Sequence, residues 1–302
     1  MAPASPRKKI WHCRAHMIDH RGEVLAERDG LTVINCRACG FAHLKDLPNP
    51  ETLDRFYRSA FWEAKGDALA HYLEQKEWTL ATYGDWLALV EQNIMGRTLL
   101  DVGSGYGWML DVAKTNAWTA RGLEPSTDAF NYSAAQGHWV EQYSWQDMRA
   151  GGKYDCITAL WLIEHLPDPK PFLLWCREHL YSGGALLLAC PNDFTYKQEK
   201  AQPKVKNYFL DATHTCYFNW TSIANLLGRC GFKIVEQTCT YDMADFLLAG
   251  SDYTANPGLG RILHERIEQM DLGLNRSQRL LMYQHMARHG GGRDLVIVAR
   301  PE

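Results

Sequence analysis

Leu99-Leu100-Asp101-Val102-Gly103-Ser104-Gly105-Tyr106-Gly107 decides the fold of this 302-residue chain. The apolar run Thr98–Val102 ends in glycines at alternate positions, and Gly107–Asn116 then reads as a helix. The pattern is a buried strand, a sharp turn and a helix. Glycine permits such a turn and lets the backbone approach a ligand closely. The N-terminus of the helix that follows presents free N–H groups. Asp101 stands at the strand end, just before the first glycine. A carboxylate there would repel a pyrophosphate and favours a ligand carrying a positive amino or sulfonium group. The Gly103-x-Gly105-x-Gly107 spacing also differs from the GxGxxG of dinucleotide sites, which disfavours a nicotinamide-dependent oxidoreductase.

Outward from this loop, strands and helices alternate. Trp118–Leu123 reads as a strand that delivers Glu124, an acidic residue placed to accept both hydroxyls of a ribose. Lys153–Leu160, Ala185–Cys190, Phe232–Thr238 and Asp294–Arg300 read as further strands, and Trp220–Arg229 as a helix. The alternation predicts an α/β fold: a Rossmann-like, seven-stranded, mostly parallel sheet with helices on both faces. Two stretches interrupt it, residues 192–219 and an insertion at 241–292 in which Leu259–Met270 and Ser277–His289 read as helices. Long insertions of this kind are commonly lids or interfaces, so 241–292 is expected to cap an acceptor pocket or form a homodimer contact. Glu51–Tyr57 and Ala68–Asn93 read as helices ahead of the glycine loop.

The first 45 residues hold three of the nine cysteines and four of the twelve histidines. Cys13-x-x-His16 and Cys36-x-x-Cys39-Gly40 are separated by 19 residues, close to the spacing of a zinc ribbon, with His12 and His20 as alternates to His16. Thiolates with an imidazole favour a closed, structural, tetrahedral zinc ion; free thiols and a surface histidine are the bland alternative. So short a segment buries too little apolar surface to fold well without a staple. The expected organisation is a zinc-binding module at 1–45, a helical linker or lid at 46–95, and the α/β domain at 96–302.

Composition narrows the function. With 46% hydrophobic and 22% charged residues the chain is an ordinary globular protein, and its net charge of −3 gives no electrostatic draw toward nucleic acid. No run of apolar residues is long enough to cross a membrane. The N-terminus lacks the apolar core of a signal peptide, and the odd cysteine count does not suit a disulfide framework, so a cytoplasmic location is expected.

Several motifs in order resemble those of class I S-adenosylmethionine-dependent methyltransferases: LLDVGSGYG at 99–107, RGLEPS at 121–126, YDCITALWLIEHLPDP at 154–169 and GGALLLACPN at 183–192. HTCYFNWTSIANLLGRCGFKIVEQ at 214–237 is similar to that family's late helix and strand. The resemblance implies that Gly103, Gly105 and Gly107 cradle the methionine and ribose parts of S-adenosylmethionine. Asp101 would contact the amino group or organise the loop, and Glu124 would hold the ribose. Gln146, Asp147 and Trp161 would be further cofactor contacts. His165 in Glu164-His165 is either a general base or a packing residue, and His214 either a second catalytic histidine or a loop lock. A zinc module ahead of such a domain resembles bacterial methyltransferases of sugars and other natural-product intermediates, which implies a small-molecule acceptor. A non-catalytic cofactor-binding scaffold and a nucleic-acid or protein methyltransferase are the alternatives.

Overall fold

Short apolar runs separated by turns build two sheets in the computed structural model, which describes residues 10–13, 18–64, 68–148, 152–201, 210 and 213–302. The strands in chain order are β1 (Ile10–Cys13), β2 (Ile18–Arg28), β3 (Leu31–Cys36), β4 (Phe41–Leu44), β5 (Thr98–Val102) and β6 (Thr119–Leu123). They continue as β7 (Val140–Glu141), β8 (Tyr154–Leu160), β9 (Leu180–Pro191), β10 (Cys216–Tyr217), β11 (Phe232–Cys239) and β12 (Asp294–Pro301).

The large sheet runs β11-β12-β9-β8-β5-β6-β7. Its strands are parallel except β12, which lies antiparallel between β9 and β11. The expected seven-stranded, mostly parallel α/β sheet is therefore the observed one. Leu99, Leu100, Ile157, Leu186, Leu187 and Leu188 are all buried, which is why β5, β8 and β9 are continuous apolar runs rather than alternating ones. The strand order reverses between β5 and β8, and a crevice opens at their carboxyl ends, where open α/β sheets bind ligands.

The small sheet runs β1-β2-β3-β4-β10, antiparallel throughout. Its last strand comes from far along the chain: His43 pairs with Cys216 and Ala42 with Tyr217. Ala26, Val33, Ala42 and Leu44 pack with Leu210 and Tyr217 from that later connection, while Phe41 joins the core of the large sheet.

Helices differ from the sequence pattern in detail. The single helix expected over 68–93 is two, Ala68–Glu74 and Lys76–Glu91, the second opening after Gln75. The insertion forms three helices, Ala244–Leu248, Pro257–Gly273 and Arg276–Arg288. It is bolted to helix 76–91: the Trp78 indole N–H donates to Asp271 at 2.8 Å and the Arg279 guanidinium pairs with the buried Asp85 at 2.7 Å, while the Tyr283 hydroxyl holds Asp271 from within the insertion at 2.7 Å. No helix among the described residues is long and apolar enough to cross a membrane.

Tyr217 is 1% exposed and has the small sheet's core on one side. Tyr217→Ala is expected to lower stability by about 3 kcal/mol in urea unfolding; a loss below about 1 kcal/mol would show that β10 contributes little to the packing.

Candidate active site and metal centre

The glycine loop leaves β5 with three residues in the left-handed region, Gly103 at φ +72°, Gly105 at +52° and Gly107 at +93°. Only glycine adopts such angles freely. A Cβ on Gly107 would also fall 2.6 Å from both the His138 ring and the Ser133 hydroxyl. The loop is tied to β6 by the Gly103 and Ser104 N–H groups, which donate to the Leu123 carbonyl at 2.8 and 3.0 Å.

Two buried carboxyls face the cavity that opens above this loop. Asp101 is 3% exposed and accepts the Thr158 hydroxyl at 2.6 Å. Glu124 is 5% exposed; one oxygen accepts the Gly105 N–H at 2.7 Å and the other the Ser126 N–H at 2.9 Å. Burial pushes Asp101 up to about 7 against the pull of Thr158. Burial likewise pushes Glu124 up to about 7, against the two backbone donors.

On the wall of the same cavity, Glu164 and His165 from the segment after β8 meet His214 from the connection before β10, one ligand-type atom of each within 4.8 Å of the others. Such spacing suits proton sharing or a single divalent cation. His165 Nδ1 donates to the Thr213 carbonyl at 2.9 Å, which leaves Nε2 as the lone-pair nitrogen. Neither carboxyl oxygen of Glu164 has a hydrogen-bond partner among the described residues, and burial pushes the group up to about 8. Glu164 was legible in sequence only as the companion of His165.

The cavity measures about 540 Å³. Its walls include Asp101, Gly103, Gly105, Glu124, Gln146, Trp161, His165 and His214 from the sequence reading. Gly107 and Asp147 are not on the wall; the Asp147 carboxylate accepts Arg58 at 2.6 Å and the Ser144 N–H at 3.0 Å. Tyr57 and Trp62 reach the cavity from the helices at 50–64, the Trp62 ring lying over Gly105. Trp161 has φ +51°, a left-handed angle that strains a bulky residue.

A family model described as "Methyltransferase domain" matches residues 55–237, more than half of the chain. The chain belongs to the methyltransferase-domain family. Its relatives include a "Probable S-adenosylmethionine-dependent methyltransferase" of Mycolicibacterium smegmatis, 27% identical over 47% of this chain and 54% of that one. A "Ubiquinone biosynthesis O-methyltransferase" of Erwinia tasmaniensis is 26% identical over 36% of this chain and 48% of that one. The matches thus span about half the length of these curated relatives. Among solved structures, the magnesium protoporphyrin IX methyltransferase of Synechocystis with bound S-adenosylhomocysteine superposes with a TM-score of 0.50 at 15% identity, over 64% of this chain and 94% of that one. That likeness is one of fold.

Ahead of the methyltransferase domain, the small sheet gathers His20, Cys36, Cys39 and His43, their ligand-type atoms all within 4.8 Å of one another. His20 Nδ1 lies 3.0 Å from Cys36 Sγ, 3.0 Å from His43 Nε2 and 3.4 Å from Cys39 Sγ. His43 Nδ1 donates to the Leu44 carbonyl at 2.7 Å, which turns the Nε2 lone pair into the cluster. The Cys36 thiol is drawn down to about 3, first by hydrogen bonding with Cys39, with His43 adding to it and burial opposing. Of the sequence-predicted ligands, Cys36 and Cys39 are in this cluster. His16 and the side chain of Cys13 lie outside the described residues. His20 had been an alternate ligand in sequence; His43, two strands away in a plain apolar stretch, carried no spacing signal.

The raised carboxyl of Asp101 gives a pH signature in the free methyltransferase domain. An acid whose folded value lies above its unfolded one holds its proton better in the folded state, so its contribution to stability is complete below about pH 4 and lost as pH rises through about 7. Asp101→Asn keeps an acceptor for Thr158 and removes this penalty. It is expected to raise the melting temperature at pH 8 by at least about 3 °C and to change it little at pH 4; an equal shift at both values would contradict the assignment.

Proposed function

We propose that the chain transfers a methyl group from S-adenosylmethionine to a small-molecule acceptor. One observation carries this reading: a single cavity is lined both by the glycine loop with Asp101 and Glu124 and by the Glu164–His165–His214 cluster. Membership of the methyltransferase-domain family supports it, as do the names of its curated relatives. When bound, S-adenosylmethionine supplies an electrophilic methyl on a sulfonium with a neutral thioether as leaving group. Gly103, Gly105 and Glu124 would hold the ribose and methionine parts, with Glu124 accepting from the ribose hydroxyls. Asp101 would accept from the amino group, and Gln146 and Trp161 would line the remainder. The residues fit: the loop has no side chain at Gly103 or Gly105 where it lines the cavity, and among the described residues neither carboxyl that faces it forms an ion pair.

His165 acts as the base. Its Nδ1 is committed to Thr213, so Nε2 takes the proton of an acceptor hydroxyl or amine, a role for which imidazole is tuned. His214, with its ring 4.9 Å from that of His165, passes the proton on or holds the loop. Tyr57 and Trp62 make residues 46–95 the lid of the cavity. The relatives named as ubiquinone biosynthesis O-methyltransferases are in line with a small-molecule acceptor here.

Cys36, Cys39, His20 and His43 would hold a structural zinc ion. Two thiolates and two imidazoles are a tetrahedral donor set, and all four positions are protein ligands, so no coordination site is left for chemistry.

Titration calorimetry should show binding of S-adenosylhomocysteine and none of NAD. Glu124→Ala is expected to weaken that binding by about 10-fold or more, through loss of charged hydrogen bonds. His165→Ala should leave it unchanged and lower kcat by about 100-fold or more; near-parental turnover would remove His165 as the base. Elemental analysis is expected to find about one zinc per chain, lost in Cys36→Ser and His43→Ala; full zinc in both variants would place the ion elsewhere.

A further inference from the structure

A second chamber of about 380 Å³ lies on the other side of Trp161 and shares Tyr83, Trp108, Trp161, Arg293 and Asp294 with the first cavity. The insertion at 241–292 closes it, which gives that segment a capping role. Trp78, Tyr83, Trp86, Trp161, Tyr241 and Tyr253 all line it. Tyr83 and Trp161 stack at 5.8 Å and Tyr83 and Trp86 at 5.0 Å between ring centres, so the wall is a preformed aromatic surface.

Asp242 stands in this wall and is 1% exposed. Its Oδ1 accepts the Ala244 N–H at 3.0 Å, and its Oδ2 has no hydrogen-bond partner among the described residues. The cations that act on it have other acids beside them: Lys197 pairs with Asp245 at 2.7 Å, and Arg293, which also lines the chamber, lies 3.7 Å from Asp193. Asp294, also in the wall, accepts the Thr240 hydroxyl at 2.7 Å. His264 is turned to Glu268 at 2.7 Å. A buried carboxylate oxygen left without a donor costs free energy, and electron-rich ring faces attract cations. Both features ask for the same occupant.

Resting on the methyltransferase reading, we propose that this chamber is an acceptor subsite for a protonated amine or quaternary ammonium carried on a flat apolar body. The cationic group sits against Asp242 Oδ2, the body lies along the Trp161–Tyr83 wall, and the other end of the acceptor passes Trp161 toward His165. A protonated or quaternary nitrogen has no lone pair to attack a methyl, so this nitrogen is the anchor and the methylated atom is a different one in the first cavity. The acceptor is therefore bifunctional, cationic at one end and a neutral nucleophile at the other.

Three indoles of similar shape test this, titrated into the protein with and without S-adenosylhomocysteine: tryptamine (cationic), 3-ethylindole (neutral) and indole-3-propionate (anionic). Tryptamine should bind about 10-fold more tightly than 3-ethylindole, as expected for a charge-assisted hydrogen bond to a buried partner, and indole-3-propionate most weakly. Asp242→Asn should bring tryptamine to the level of 3-ethylindole and leave S-adenosylhomocysteine affinity unchanged. Tyr241→Ala, a change at a half-buried ring that serves if Asp242→Asn fails to fold, should weaken tryptamine by about 3-fold. Equal binding of tryptamine and 3-ethylindole, or a tryptamine preference that survives Asp242→Asn, overturns the proposal. Failure of S-adenosylhomocysteine to bind overturns the methyltransferase reading instead, and the indole series on the free protein is still decisive for the chamber.

Discussion

The Leu44 N–H donates to the Thr215 carbonyl at 2.9 Å, and the Thr215 N–H donates to the Glu164 carbonyl at 2.8 Å. These bonds place one short strip of chain between the metal-type cluster and the histidine cluster. On one edge the strip is β10, paired to β4 with His43 opposite Cys216. On the other, the Cys216 thiol donates to the Leu166 carbonyl at 3.2 Å, and the Asp193 N–H donates to the Phe218 carbonyl at 2.7 Å. The same strip supplies the Thr213 carbonyl that fixes His165 and carries His214. Order in the small sheet therefore becomes order at the histidines, over a path of backbone bonds with no flexible side chain in it. A zinc ion among His20, Cys36, Cys39 and His43 would stiffen β3 and β4, and with them β10.

Burial of acid is the second constraint. Asp101, Glu124, Glu164, Asp193 and Asp242 are each pushed up, burial being the largest cause in every case. All five surround the two cavities or stand beside Arg293, which lines both. Acids held in this way prefer the proton while the cavities contain no positive charge, and give it up when one enters. The arrangement costs stability in the free protein, and ligands of positive charge recover that cost. It disfavours an anion beside these acids, consistent with Asp101 standing where a pyrophosphate would otherwise lie.

The sequence made the large sheet legible because the inner stretches of β5, β8, β9 and β12 are buried and rich in apolar residues; Thr98–Val102 and Trp220–Arg229 have the same bounds in sequence and structure. Asp101 and Glu124 were legible because one lies near the end of a buried strand, just before Val102, and the other directly follows the end of the next. What escaped was made by pairing rather than by pattern. Strands β7 and β10 have two residues each, too short for any period. His43 joins the cluster only because β3 and β4 pair in a register that sets it beside Ile34, two residues before Cys36. Asp242 was hidden for a like reason: its partners in the second chamber are Trp78, Tyr83 and Trp86, more than 150 positions earlier, and no local spacing links them.

Trp161 shows why the two cavities should be read together. It ends β8 in a left-handed backbone conformation, at φ +51°, a state that costs an L-residue about 1–2 kcal/mol. Glycine would adopt it without penalty, so the ring must return something for the strain. The ring is stacked on Tyr83, lies 5.6 Å from Trp86, and directs its indole N–H toward Asp294 at 3.5 Å. It is thus held by helix 76–91 on one side and by β12 on the other, and forms wall for both chambers at once. In the proposed reading this shared wall lets an acceptor keep its charged end away from a sulfonium while presenting its nucleophile to it, and the strained angle sets the ring at that position.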